Sequence, residues 1–88
     1  MDELRLDGNA AAGLLREVFG TELTIARGTC DGCGAVEFVG AVHLYRSAGT
    51  VLRCPHCEAV LMLIVEGPSR IWLDLRGIRS LEVPFADR

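Results

Sequence analysis

The chain has no lysine, few aromatic residues and no long apolar run, and each shortage excludes something. All nine basic residues are arginine, and with twelve acidic residues they give a formal charge of −3. A negative total disfavours binding of nucleic acid through bulk electrostatics. The longest uninterrupted apolar run, residues 59–65, is far shorter than the roughly 20 residues of a membrane-spanning helix. The sequence therefore indicates neither a membrane protein nor a strongly basic nucleic-acid binder.

The 88 residues are enough for one domain, which we expect to span 1–88. Half of them are hydrophobic, which disfavours disorder. The stability that a hydrophobic core of this size supplies is marginal unless a further cross-link supplements it. The acidic opening, Met1-Asp2-Glu3, lacks the basic region of a secretory signal. We therefore expect a cytoplasmic protein, and in that reducing compartment four cysteines favour metal binding over disulfides.

Residues 7–20 have the pattern of one amphipathic helix. Asp7 or Asn9 can cap its start, and Gly20 can end it. Gly13 falls opposite the apolar stripe, on the side expected to face solvent. The stripe follows the spacing of one buried helical face and consists of Ala11, Leu14, Leu15, Val18 and Phe19.

Residues 21–83 have strand-like patterns. Leu23 and Ile25 alternate before the first cysteine pair. Val36, Phe38, Val42 and Leu44 are expected to share one face of the next segment, with Gly40 as a possible bulge in its middle. Residues 60–65 are apolar on both faces, which predicts a central strand covered on two sides. The fold class expected is α+β, mainly β: a zinc ribbon with a small antiparallel sheet and one N-terminal helix.

Two CxxC pairs give the strongest chemical signal. Cys30 and Cys33 are followed, after twenty residues, by Cys54 and Cys57, and this spacing is typical of zinc sites. Each pair is expected to form a tight turn, or knuckle, whose two sulfurs reach one ion. Four thiolates close a tetrahedron and leave no position for water or substrate. Gly34 suits the left-handed turn that follows a knuckle, whereas Glu58 at the equivalent place fits less well.

Two other cysteine chemistries fit parts of this pattern. The tetrapeptide Cys-Pro-His-Cys resembles the active site of thioredoxin-like oxidants, but those place it at a helix start after an early strand. Here it lies past mid-chain before a β-branched run, which disfavours a reactive dithiol. The Cys-x2-Cys-Gly and Cys-Pro-x-Cys forms also resemble rubredoxin, so Fe is the alternative to Zn²⁺. The scarcity of aromatic residues favours Zn²⁺.

The remaining chemistry-bearing residues indicate no enzyme. His56 lies inside the second knuckle and could in principle replace a cysteine, but four cysteines make this unnecessary. His43 has the position of an ordinary strand residue. The sequence contains no catalytic triad grouping, phosphate loop or HExxH motif. We therefore expect a structural metal site without catalysis.

A candidate partner surface consists of Arg70, Trp72 and Arg76, which alternate with Asp74 between them. On a strand these side chains share one face, and Arg and Trp are frequent hot-spot residues of protein interfaces. The alternative favoured here is that the N-terminal helix covers Trp72 while the arginines pair with Asp74 and solvent. The high apolar content also suggests a homodimer.

Residues 30–57 resemble the zinc-ribbon group, in which two knuckles cap a three-stranded sheet. The whole chain, notably "LDGNAAAGLLREVFG", the two knuckles and "WLDLRG", resembles a family of short bacterial zinc-ribbon-like proteins of uncharacterised function. That resemblance implies Cys30, Cys33, Cys54 and Cys57 as ligands and a protein partner, with an oxidoreductase as the class suggested. The function expected is a zinc-binding module that acts by protein–protein interaction. The alternatives are a nucleic-acid-binding ribbon in transcription or translation and rubredoxin-like electron transfer.

Overall fold

The computed structural model describes residues 5–85, and of Arg5 the backbone alone. The acidic opening at Met1-Asp2-Glu3 lies outside these residues. The described chain contains eight strands, one α-helix and two 3-10 turns. In order they are β1 (Arg5–Asp7), the first 3-10 turn (Gly8–Ala11), α1 (Ala12–Phe19), β2 (Arg27–Cys30), β3 (Val36–Phe38), the second 3-10 turn (Val39–Ala41), β4 (His43–Arg46), β5 (Thr50–Arg53), β6 (Val60–Glu66), β7 (Ile71–Asp74) and β8 (Ile78–Glu82).

The strands form two antiparallel sheets. The larger has five strands in the order β1-β4-β5-β6-β7, and the smaller has three in the order β3-β2-β8. The expected α+β, mainly β class is confirmed. The expectation of one small sheet is incomplete, because the chain passes from one sheet to the other after β1, after β3 and again after β7.

The predicted helix is present with a change of pitch near its start. The Asp7 carboxylate accepts a hydrogen bond from the Asn9 backbone N–H at 3.1 Å and begins the 3-10 turn, which leads into α1. Gly20 ends α1 in the left-handed conformation, with φ 72° and its N–H donating to the Arg16 carbonyl. Ala11 and Leu15 are buried, and Leu14 and Phe19 pack against the core. Four of the five residues of the predicted stripe are therefore confirmed.

Two strand predictions were wrong. Residues 23–26 form a turn, in which the Ala26 N–H donates to the Leu23 carbonyl at 3.0 Å. At Gly40, where a bulge was possible, the chain forms the 3-10 turn Val39–Ala41, and the four residues do not share one face: Val36 and Phe38 are exposed whereas Val42 and Leu44 are buried. Because the Val39 and Gly40 amides donate to the Ala26 and Thr24 carbonyls, long-range hydrogen bonds to the turn at residues 23–26 prevail there over strand propensity.

The core lies between the two sheets and under α1. Its buried side chains are Ala11, Leu15, Leu23, Ala26, Cys30, Val39, Val42, Leu44, Leu52, Cys54, Leu61, Met62 and Ile64.

Strand β6 lies between β5 and β7, as expected, but only one of its faces is fully covered. Met62 and Ile64 point into the core, while Leu63 and Val65 on the outer face are half-buried. In the described part of the chain, no helix has the length and apolarity needed to cross a bilayer.

Candidate metal centre

The first knuckle, residues 30–35, is the tip of the hairpin formed by β2 and β3. The Cys30 N–H donates to the Ala35 carbonyl, and the Gly34 N–H donates to the Cys30 carbonyl, both at 2.9 Å. Gly34 has a φ of 78°, a left-handed conformation in which an L side chain is unfavourable. The predicted role of Gly34 is confirmed.

The second knuckle, residues 54–59, repeats this geometry at the tip of the hairpin formed by β5 and β6. The Cys54 N–H donates to the Ala59 carbonyl at 2.9 Å, and the Glu58 N–H donates to the Cys54 carbonyl at 2.8 Å. Glu58 takes the place of Gly34 and has a φ of 65°, the one positive φ of a non-glycine residue within residues 5–85. The two hairpin tips therefore share one backbone structure despite their different sequences.

Neighbouring side chains hold Glu58 in this unfavourable conformation. Its carboxylate is 2.6 Å from His43 Nδ1 and accepts a hydrogen bond from the Tyr45 hydroxyl at 3.3 Å. Its carbonyl accepts a hydrogen bond from the Arg53 guanidinium at 2.8 Å. Since β4 and β5 supply these three partners, the larger sheet supports the second knuckle.

The two knuckles bring the four cysteines together. Cys30 Sγ lies 3.7 Å from Cys57 Sγ, and Cys33 Sγ lies 3.7 Å from Cys54 Sγ. All four sulfurs lie within 4.8 Å of one another. Four sulfurs at about 2.3 Å from a central ion would form a tetrahedron with edges of about 3.8 Å. Both close pairs join one hairpin to the other, so an ion here would link the two sheets.

The surroundings of Cys30 and Cys57 shift the pKa values of their thiols in opposite directions. The Cys33 backbone amide, with further hydrogen bonds from Gly32, Cys57 and Cys33, lowers the pKa of the Cys30 thiol to about 7, against the opposing effect of burial. At Cys57 the hydrogen bond from the Ala59 amide lowers the pKa of the thiol. Desolvation and the other three thiols outweigh this effect and raise the pKa to about 12. Formation of a first thiolate is therefore favoured, and a nearby cation would offset the charge of further thiolates.

These observations fit a tetrahedral metal ion. Cys30 and Cys54, the first cysteines of the knuckles, are buried with 2% of their surface exposed, and Cys33 and Cys57 are exposed. None of the four forms a disulfide. Four sulfur ligands would occupy every position of a tetrahedral ion, which is the arrangement of structural sites rather than of catalytic ones.

Two polar side-chain contacts connect the knuckles to strands of the smaller sheet. His56 Nε2 lies 3.0 Å from a Glu37 carboxylate oxygen, which joins the second knuckle to β3. Arg79 on β8 lies 3.4 Å from the Asp31 carboxylate of the first knuckle, and the Asp31 N–H donates to the Gly77 carbonyl at 2.9 Å. The site is therefore supported from both sheets.

The side chains of His43 and His56 contact glutamates rather than the cysteine sulfurs. The cysteine cluster contains neither of them, as the sequence had indicated. Sequence reasoning missed their partners, Glu58 and Glu37. The equivalence of Glu58 and Gly34 was apparent from the sequence, but the left-handed turn at Glu58 was not predicted; the shared pattern Cys-x-x-Cys-x-Ala-Val is the signal that could have indicated it.

The candidate partner surface lies apart from the cysteines, on edge strand β7 and its flanks. Trp72 is 55% exposed, so the expectation that the N-terminal helix covers it was wrong. The expected pairing of Asp74 is confirmed, since Arg76 NH2 lies 2.9 Å from its carboxylate. Arg70 and Arg76 are both exposed.

The fold and the site together define a class: a small two-sheet antiparallel β protein with a candidate four-cysteine metal centre between its sheets. A family model matches residues 2–86, and the chain therefore belongs to the family of unknown function DUF6510. Comparison with curated proteins finds no match, and comparison with solved structures finds none either.

Proposed function

We propose that this protein is a non-catalytic module whose four-cysteine centre holds one Zn²⁺ ion as a structural clamp, and that it acts by binding another protein. The observation that carries the metal assignment is the pair of cross-hairpin sulfur distances, each 3.7 Å and close to the edge of a zinc tetrathiolate. The zinc-ribbon spacing of the cysteines supports zinc over other ions. The unpaired thiols fit a reducing compartment, for which we propose the cytoplasm.

The metal assignment is tested by elemental analysis and native mass spectrometry of the purified protein. We expect one zinc per chain and a colourless protein. Stoichiometric iron with red colour would replace this proposal by rubredoxin-like electron transfer, because iron accepts the same four thiolates.

Two variants test the ligand set. Cys33→Ser should lose the metal. His56→Ala should retain one ion per chain, because its imidazole contacts Glu37 rather than the sulfurs. Metal loss in His56→Ala, or full retention in Cys33→Ser, would contradict a centre made of the four cysteines.

A protein partner is favoured over nucleic acid by the placement of the arginines. Arg46 donates to the Ala10 carbonyl, Arg53 to the Glu58 carbonyl, and Arg76 is paired with Asp74. The formal charge of −3 would become about −5 with four thiolates and one divalent ion. Nucleic-acid binding that weakens steeply with salt would support the rival function. Affinity purification with mass spectrometry from the native host identifies the partner, with the Trp72→Ala variant as a matched control for the surface Arg70, Trp72 and Arg76.

A further inference from the structure

The edge strand β7 is unprotected. Within residues 5–85 it pairs with β6 alone. Edge strands in natural proteins commonly carry lysine, proline or a bulge that prevents pairing with another chain. Residues 71–74 contain none of these, and their one charged residue, Asp74, lies at the end of the strand. Ile71, Trp72 and Leu73 are exposed apolar residues, and the ladder to β6 is regular.

The hydrogen-bond phase of the β6–β7 hairpin determines which groups of β7 are available. The Gly67 N–H donates to the Arg70 carbonyl at 2.8 Å across the turn. Hydrogen-bonded pairs alternate along an antiparallel ladder, so Trp72 and Asp74 direct their backbone groups toward β6. The N–H and C=O groups of Ile71 and Leu73 therefore point away from the sheet, along its free edge.

We propose that a second copy of this chain occupies this edge, by antiparallel pairing of β7 with β7 about a two-fold axis at Trp72. Ile71 of each copy then faces Leu73 of the other, and four backbone hydrogen bonds form between groups that already point outward. The two five-stranded sheets become one sheet of ten strands. This deepens the proposed function, since it names a partner for the surface Arg70, Trp72 and Arg76.

Charge complementarity selects this register. Arg70 of one copy lies opposite Asp74 of the second copy, and the symmetry repeats the pair at the other end. Asp74 can accept this arginine in addition to Arg76, because a carboxylate has about four lone-pair sites. The neighbouring register centred on Leu73 would place Arg70 opposite Arg76, which are like charges, and the one centred on Ile71 leaves Arg70 opposite Trp72.

Side-chain pairs on both faces of β7 favour the same register. Trp72 meets its symmetry mate at a pair without backbone hydrogen bonds, where cross-strand side chains are closest. On the opposite face Ile71 and Leu73 of the two copies form apolar pairs. By contrast, the edge strand β3 pairs with itself poorly about its centre, because Glu37 would lie opposite Glu37.

Sedimentation equilibrium over a concentration series, with the metal-loaded full chain, measures the association. We expect twice the mass of one chain at high concentration. Trp72 is the only tryptophan, so its emission should shift to shorter wavelength as the dimer forms. A single-chain mass throughout would overturn the proposal, whatever metal the protein holds; conversely, a dimer containing iron would contradict the zinc assignment alone.

Charge reversal tests the register. Arg70→Asp or Asp74→Arg places like charges opposite each other twice per dimer, and each should raise the dissociation constant about tenfold or more. Mixing the two variants restores opposite charges at both ends, so the mixture should dimerise better than either variant alone. Glu17→Arg, on the exposed face of α1, is the charge-reversal control and should leave association unchanged. A dimer that tolerates Arg70→Asp, or a mixture that gains nothing, would contradict this pairing.

Removal of one backbone N–H from β7 tests the proposed strand pairing. Leu73→Pro deletes an N–H that points outward, which an edge strand tolerates, and should weaken the dimer at least about tenfold. Leu73→Ala keeps the N–H and should weaken it less. Far-UV circular dichroism and metal content establish folding of each variant. Equal effects of proline and alanine in folded variants would contradict the strand pairing.

Discussion

At the scale of single residues, Gly13 and Gly34 differ in the sign of φ. That sign determines whether an added methyl group raises or lowers the free energy of unfolding. A Cβ at either position meets nothing within 4 Å. Gly13 lies inside α1, where alanine is favoured over glycine, so Gly13→Ala should raise the free energy of unfolding by about 1 kcal/mol. Gly34 has φ 78°, so Gly34→Ala should lower it by about 1 kcal/mol.

Urea unfolding of the metal-loaded protein measures both changes, with the slope m as the control for an unchanged unfolded state. The two variants add the same atom and serve as each other's control. Changes of the same sign would show that something other than backbone conformation decides these positions.

At this scale the sequence predicts what depends on one residue type. The glycine at position 34 predicts a left-handed turn, because glycine is the residue that takes positive φ without strain. Glu58 does not, because its φ of 65° depends on His43, Tyr45 and Arg53, which come from two other strands. Its conformation is a tertiary effect, visible in the sequence only as the Cys-x-x-Cys-x-Ala-Val repeat.

At the scale of elements, the crossover from β7 to β8 depends on a close approach at Gly77. A Cβ there would lie 1.9 Å from the Val60 carbonyl oxygen and 2.7 Å from the Leu61 Cα. Both are backbone atoms of β6, so neither can move without disturbing the ladder. Gly77→Ala should therefore lower the free energy of unfolding by at least about 2 kcal/mol.

Gly28→Ala, in β2 of the smaller sheet, is the matched control. A Cβ at Gly28 would meet Leu81 Cδ1 at 3.7 Å, an ordinary van der Waals contact with a side chain. Its effect on urea unfolding should be clearly smaller than that of Gly77→Ala. Comparable losses would mean that the β6 contact is not what requires glycine at Gly77.

Local patterns predict the elements, and long-range pairing explains where those predictions end. The stripe of α1 and the strand at residues 60–65 follow from apolar spacing and composition, and both are present. The division into two sheets is not local, because β2 pairs with β8 about fifty residues later. The exposure of Trp72 likewise depends on which strand lies at the sheet edge, which periodicity alone does not determine.

At the scale of the whole molecule, the cysteine cluster is where the two sheets meet at their hairpin tips. Cys30 and Cys33 belong to a hairpin of the smaller sheet, and Cys54 and Cys57 to one of the larger. An ion bound there would therefore tie both sheets together, and in zinc-finger peptides such binding contributes about 10–16 kcal/mol at neutral pH. Removal of the metal by a strong chelator should therefore abolish the cooperative thermal transition and most of the β signal in circular dichroism. An unchanged spectrum, with metal loss confirmed, would contradict a structural role.

The pH dependence of metal affinity at the proposed four-cysteine centre follows from the thiol pKa values. A metal ion binds thiolates, and near neutral pH the Cys57 thiol, with a pKa of about 12, is protonated, while Cys30, with a pKa of about 7, is partly protonated. Metal binding must therefore release more than one proton, so affinity rises with pH and the metal-dependent stability is lost as pH falls. Calorimetric titration in buffers of different ionisation enthalpy measures the protons released, and His56→Ala, which keeps all four sulfurs, should release the same number. Binding without proton release would show that the sulfurs are not the ligands.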